Sequence, residues 1–130
     1  MNIKDRFFTY ISKRPGVANL VQQGGISFNF DLNSLHYYFY YDAANDPYYF
    51  RIMLPIVDNV TIENKNSILE KCSIISTEFK VGKTIVFNEQ VWFSTEVFIY
   101  DAGEGLSLLF DRMITILQLM FERYRAINDK

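Results

Sequence analysis

The chain has 130 residues, 49% hydrophobic and 22% charged, and a formal net charge of −2, which is the size and balance of one globular domain with its own core. A slightly acidic balance with no basic block excludes nucleic acid as the main partner, because nothing in the chain would displace counterions from phosphates. One cysteine, Cys72, excludes an internal disulfide framework and a cysteine-based zinc site. The first segment, residues 2–13, carries Ile3, Phe7, Tyr10 and Ile11 at helical spacing. The triplet Arg14-Pro15-Gly16 ends it, since proline cannot continue the hydrogen-bond ladder. Residues 17–23 read either as a short helical turn or as an irregular lead into a sheet, closed by Gly24-Gly25.

The period then becomes two. "ISFNFD" alternates Ile26, Phe28 and Phe30 with Ser27, Asn29 and Asp31, "DLNS" is a turn, and "LHYYFYYD" is a second strand. After the turn "AANDP" comes a third strand, "YYFRIMLPIV", whose Pro55 marks an edge or a strand terminus. A helix starts in "NKNSILEK" with Ser67 and Glu70 as a capping box, and Ile68, Leu69, Cys72, Ile75 and Phe79 form its apolar stripe. Two strands follow, about 83–88 and 91–100, joined near Glu89 and Gln90. A last helix, about 104–126, is capped by Asp101 and Glu104. Residues 1–130 are thus read as a single α+β domain in the order α-β-β-β-α-β-β-α. Its five-stranded sheet is antiparallel, with the helices mainly on one face.

Pairing Tyr41 with Tyr48 sets Phe39 against Phe50, Tyr37 against Ile52 and Leu35 against Leu54, and pairing Phe30 with Leu35 sets Phe28 against Tyr37 and Ile26 against Phe39. Both hairpins then turn their apolar sets to one side, as a shared core requires. The other side carries Tyr38, Tyr40, Tyr49, Arg51 and Met53, with His36, Ser27 and Asn29. In the last hairpin Phe93, Thr95, Val97 and Ile99 point inward and Trp92, Ser94 and Glu96 outward, with Lys83 across from Glu96. Large rings with polar tips, a thioether, an arginine and an indole are the side chains of protein interfaces. Tyr38, Tyr40, Tyr49, Arg51, Met53 and Trp92 are therefore the candidate partner-binding residues. The alternatives for this face are an ordinary solvated surface or a small-ligand site.

The last helix is apolar beyond the single stripe that one sheet needs. Its polar positions, Ser107, Asp111, Thr115, Gln118, Glu122 and Arg125, form a narrow line. It sits between the sheet and the other helices, or contributes to a homodimer.

Catalytic chemistry finds no local motif. His36 is the single histidine and has no nucleophile or carboxylate arranged beside it in sequence. "VFIYDAGEGLSLL" imitates a phosphate-binding turn but lacks the third glycine and places Glu104 where phosphate would sit. Cys72 on an apolar stripe reads as a small core residue. The expectation is a protein that is not an enzyme and has no cofactor and no metal. The opening "MNIKDRFFTYISKRPG" has no apolar stretch of signal-peptide kind, and no run reaches the roughly 20 residues that span a bilayer. The location expected is cytoplasmic, with no membrane partner. The competing expectation is a small-molecule binder or unrecognised enzyme with a pocket near His36 and Arg51.

In element order, and in the stretches "ISFNFD", "YYFRIMLP", "SILEKCSIISTEF" and "KTIVFNEQVWFSTEVF" with the long closing helix, the chain resembles the type III secretion chaperone-like superfamily, including its YbjN-type members. The resemblance implies a non-enzymatic chaperone- or scaffold-like protein that binds a protein partner or an extended client peptide, often as a homodimer.

Overall fold

The computed structural model describes residues 3–25, 27–99 and 105–127. Helix α1 (Ile3–Lys13) buries Ile3, Phe7 and Ile11 one turn apart, and Asp5 in its first turn and Lys13 in its last complement the helix dipole. There follow β1 (Ala18–Gln23), β2 (Ser27–Leu32), β3 (Leu35–Tyr40), β4 (Tyr49–Asn59), α2 (Lys65–Glu78), β5 (Gly82–Phe87), β6 (Gln90–Phe98) and α3 (Leu106–Ala126). The fold is α+β with a wholly antiparallel sheet in the order β1-β2-β3-β4-β6-β5.

The sheet has six strands, one more than expected. The addition is β1, the segment that read ambiguously. Almost all of β1 is exposed, only Leu20 reaching the core, so the strand shows no alternation. A bulge between Ala18 and Val21, with Asn19 at a φ of +53°, breaks the strand further, and Asn19 Nδ2 donates to Asp31 Oδ2 at 2.6 Å.

The two central hairpins pair two residues away from the expected register. Phe30 lies opposite Tyr37 and Phe28 opposite Phe39, because Asn33 and Ser34, both at positive φ, make a two-residue turn. Phe39 lies opposite Ile52 and Tyr40 opposite Arg51. Between these strands Asp42 folds the loop on itself, its carboxylate accepting from Ala44 N and Asn45 Nδ2. A shift of two leaves every side chain on its expected face. Ile26 lies outside the described residues. Pro55 does not mark an edge, since β4 is central. It sits at a bulge between Leu54 and Asp58, where Ile56 is held at a φ of +51°.

All three helices share one core with the inner sheet face: Phe28, Phe30, Tyr37, Phe39, Phe50, Ile52 and Phe93 below, and Phe7, Ile75, Phe110, Ile114 and Leu117 above. Helix α3 packs on β4, β5 and β6 and touches both α1 and α2. This broad contact accounts for much of its wide apolar surface, while Leu108 and Leu119 stay exposed. It comes close enough at β5 that Met120 lies directly over Gly82, where any Cβ would collide with it. Tyr10 of α1 and Arg14 just past its end both bond Asp111 of α3, and Arg123 binds Glu78 of α2 at 2.7 Å.

Two helix starts depart from expectation. Helix α2 begins at Lys65 with Asn64 at its N-cap, so Ser67 lies inside the helix and forms no capping box with Glu70. Asn64 instead ties the preceding loop, accepting from Thr61 N at 2.7 Å and donating to Asn59 O at 3.0 Å. Leu69 is exposed, and Lys71 takes its place on the buried side with its ammonium 5.1 Å from the Tyr124 ring centre. The expected caps Asp101 and Glu104 lie outside the described residues, and Gly105, at a φ of +88°, precedes α3.

Phe7 stacks on Phe39 with ring centres 4.5 Å apart and meets Phe110 edge-on at 4.3 Å. Phe7→Ala is expected to cost about 3–5 kcal/mol in urea unfolding. Tyr10→Phe, which loses the part-buried hydroxyl's bonds to Asp111 and from Arg14, is expected to cost about 1–2 kcal/mol.

Candidate binding face on the outer sheet surface

Strand parity decides what the uncovered face carries. β3 presents Tyr38 and Tyr40 outward, β4 Tyr49, Arg51 and Met53, and β6 Trp92, Ser94 and Glu96. The register sets Tyr38 beside Met53, Tyr40 beside Arg51, Arg51 beside Glu96 and Met53 beside Ser94. On β5 the outward set is Lys83, Ile85 and Phe87, with Ile85 beside Trp92.

These side chains surround an open concavity of about 510 Å³ lined by Tyr38, Tyr40, Arg51, Met53, Ile85, Phe87 and Trp92. Five of the six residues nominated from sequence thus come together. Met53 is only 5% exposed and Ser94 beside it 0%, so neighbouring side chains cover the middle of the sheet. The rings are held from outside the depression: Tyr38 Oη donates to Ser27 Oγ at 3.1 Å, and Trp92 Nε1 donates to Gln90 Oε1 at 3.1 Å. The Arg51 guanidinium lies over the Tyr40 ring, 5.0 Å from its centre, while its Nε is buried without a hydrogen-bond partner among the described residues.

Tyr49 stands apart from the concavity. Its hydroxyl donates to Glu96 Oε2 at 2.7 Å and its ring lies 5.3 Å from that of Phe98. Lys83 is directly opposite Ser94, not Glu96, but its ammonium reaches diagonally to Glu96 Oε1 at 2.7 Å. Burial would raise the Glu96 carboxyl, but hydrogen bonds from Lys83 and Tyr49 and the charges of Lys83 and Arg51 outweigh it and hold it below the usual range. Burial first, and then the bond to Glu96 and its charge, push the Tyr49 phenol up to about 12.

His36 does not line the concavity. Its Nδ1 lies 2.6 Å from Asp31 Oδ1, and the carboxyl of Asp31 is lowered by hydrogen bonds first from Asn19 and then from His36. His36 and Arg51 therefore do not converge on one pocket, contrary to what the small-molecule reading requires. Among the described residues no three His, Cys, Asp or Glu side chains are grouped as a metal site would need. The Cys72 thiol is buried and pushed up by that burial.

Ile85 and Phe87 were not nominated from sequence, although the signal was present. Asn88 and Glu89, both at positive φ, form a two-residue turn that places Phe87 opposite Gln90 and so Ile85 opposite Trp92.

Because the folded pKa of Tyr49 is raised from 10.0 to about 12, its contribution to stability is full below pH 10 and is lost as pH rises through about 12. Ultraviolet titration of tyrosinate should show one high-pH phenol fewer in Tyr49→Phe, and Glu96→Gln should move that step back toward pH 10.0. The lowered carboxyl of Glu96 works in the opposite direction, contributing above its ordinary value of 4.5 and fading as pH falls below it.

No helix among the described residues is long and apolar enough to cross a membrane. No family model matches the chain, and no curated protein matches it. It is similar to the crystal structure of an uncharacterized protein from Methanothermobacter thermautotrophicus, with a TM-score of 0.52, 10% sequence identity, and coverage of 93% of this chain and 98% of that one. At that identity the likeness is one of fold alone.

Proposed function

We propose that this protein is a non-enzymatic, cytoplasmic binding module whose outer sheet face receives apolar side chains from an extended segment of a partner protein. The observation that carries the reading is the convergence of aromatic, Met and Arg side chains from four strands on one open concavity. Tyr, Trp and Arg dominate interface hot spots, and the rings among them offer large contact areas with few rotatable bonds. Tyr38, Trp92 and Arg51 are already held by Ser27, Gln90 and Tyr40, so little side-chain freedom would be lost on binding. An open depression suits a side chain presented on a peptide backbone. It suits a free small molecule less, since such ligands are ordinarily enclosed over most of their surface. Chaperone- or scaffold-like activity, the expectation attached to the type III secretion chaperone-like resemblance, is the same proposal in biological terms. The partner would then be an incompletely folded client or a regulatory protein.

Trp92 is the single tryptophan and lines the concavity, so its emission reports occupancy without a label. Peptides selected on the protein from a random library should shift Trp92 emission to the blue. They should lose at least about tenfold in affinity with Tyr38→Ala, as expected for a hot-spot ring worth more than 1 kcal/mol. Peptides that bind without moving Trp92 emission, and equally well to Tyr38→Ala and Arg51→Ala, would remove the reading.

A further inference from the structure

Of the side chains that line the concavity, Arg51 alone carries a charge. The neighbouring ions are already committed to each other. Glu96, opposite Arg51 in the register, accepts from Lys83 and from Tyr49, each at 2.7 Å. The charge of Arg51 acts on Glu96 only through space, helping to lower its carboxyl. Among the described residues no carboxylate forms an ion pair with the guanidinium. Lys83 thus balances Glu96, and Arg51 leaves a net positive charge at the wall of an otherwise aromatic and aliphatic depression.

Hydrogen bonding marks the same place. Among the described residues three buried side-chain polar atoms lack a partner: Tyr37 Oη in the core, and Arg51 Nε and Ser94 Oγ on the outer face. Arg51 and Ser94 are diagonal neighbours across β4 and β6. Unpartnered buried polar atoms are costly, and two side by side mark a surface suited to a polar group from outside. A guanidinium stacks by its face and donates by its edge. Its contact with the Tyr40 ring, 5.0 Å from the centre, therefore leaves the fork of Nε and one terminal nitrogen for an acceptor. Two parallel bonds from that fork match the two oxygens of a carboxylate.

We propose that the segment received by this face presents a carboxylate to Arg51, next to an apolar side chain that packs among Tyr38, Phe87 and Trp92. The inference rests on the concavity being the binding surface and specifies the chemistry of its occupant. Two sources bring the same group: an acidic side chain beside a hydrophobic one, or a terminal carboxylate after a hydrophobic last residue. Other occupants fit less well. Rings such as these can cage a cation, but Arg51 in the wall would repel it. A wholly apolar occupant would strip water from Arg51 and give its charge no partner. A phosphate dianion calls for more donors than one arginine supplies, whereas a carboxylate matches the single charge.

The test starts from peptides selected on the full chain from a random library. Each is resynthesised with its Asp and Glu changed one at a time to Asn and Gln, and with its C-terminus as acid or amide. Against the unaltered protein, one of these neutralisations should weaken binding about tenfold, as for a charge-assisted bidentate pair. A loss on changing an internal residue assigns the carboxylate to a side chain; a loss on amidation assigns it to the terminus. Arg51→Met keeps an apolar stem but no charge. It should bind the original peptide about tenfold less tightly and be indifferent to the neutralisation. Raising the salt concentration should narrow the gap between the charged and neutral peptides on the unaltered protein.

Equal binding of charged and neutral peptides by the unaltered protein would overturn the proposal, and that comparison requires no variant to fold. Selected peptides that depend on a Lys or Arg for their effect on Trp92 would overturn it too. In either case, a blue shift of Trp92 emission and weakening by Tyr38→Ala would leave the concavity as the binding surface without its carboxylate. Absence of both effects would remove the two readings together.

Discussion

The stack of phenylalanine rings at the inner face organises this molecule. Phe7 of α1 lies against Phe28, Phe30 and Phe39 of the sheet and Phe110 of α3, with ring centres between 4.3 and 6.0 Å apart. It fixes two helices and two strands at a single point. Aromatic pairs at these separations add to the burial of the rings themselves. With α1, α2 and α3 all committed to that side, no helix among the described residues covers the opposite face of the sheet. Side chains alone must shield its central strands.

That requirement explains the composition of the outer face. A strand surface open to water cannot carry a row of phenylalanines without becoming an aggregation site, yet bare backbone there would pair poorly. Tyrosine, methionine, tryptophan and the arginine stem cover area while keeping polar tips in water. The cover is good enough to bury Met53 and Ser94, and a depression remains where Tyr38, Tyr40, Phe87 and Trp92 stand around it. Under the proposed function, the side chains that shield the sheet would also present the binding surface.

Much of this was legible in the residues. The alternation Phe28, Phe30, Tyr37, Phe39, Phe50, Ile52 assigned both faces correctly even with the register displaced by two, since a shift of two preserves side-chain direction. The register itself was not legible, because it depends on turns whose form is set by backbone: the positive φ of Asn33 and Ser34, and the loop closed by Asp42. β1 was missed for a related reason, being held by backbone pairing at an edge with no buried pattern to mark it. Ser67 misled because a capping pattern in sequence can fall one turn inside a helix whose start is governed by Asn64. Of the site, Tyr49 was nominated by parity alone. Its hydroxyl is taken by Glu96, a contact between strands far apart in sequence.

The central proposal is that the outer sheet face, and not the helix layer, is where this protein meets others. Chemical-shift mapping of the isotope-labelled chain during titration with a bound peptide tests it most directly. The account predicts that perturbed amides cluster at residues 38–40, 51–53, 85–87 and 92, with α1, α2 and α3 unmoved. Shifts concentrated on the helices, with those strands silent, would contradict it.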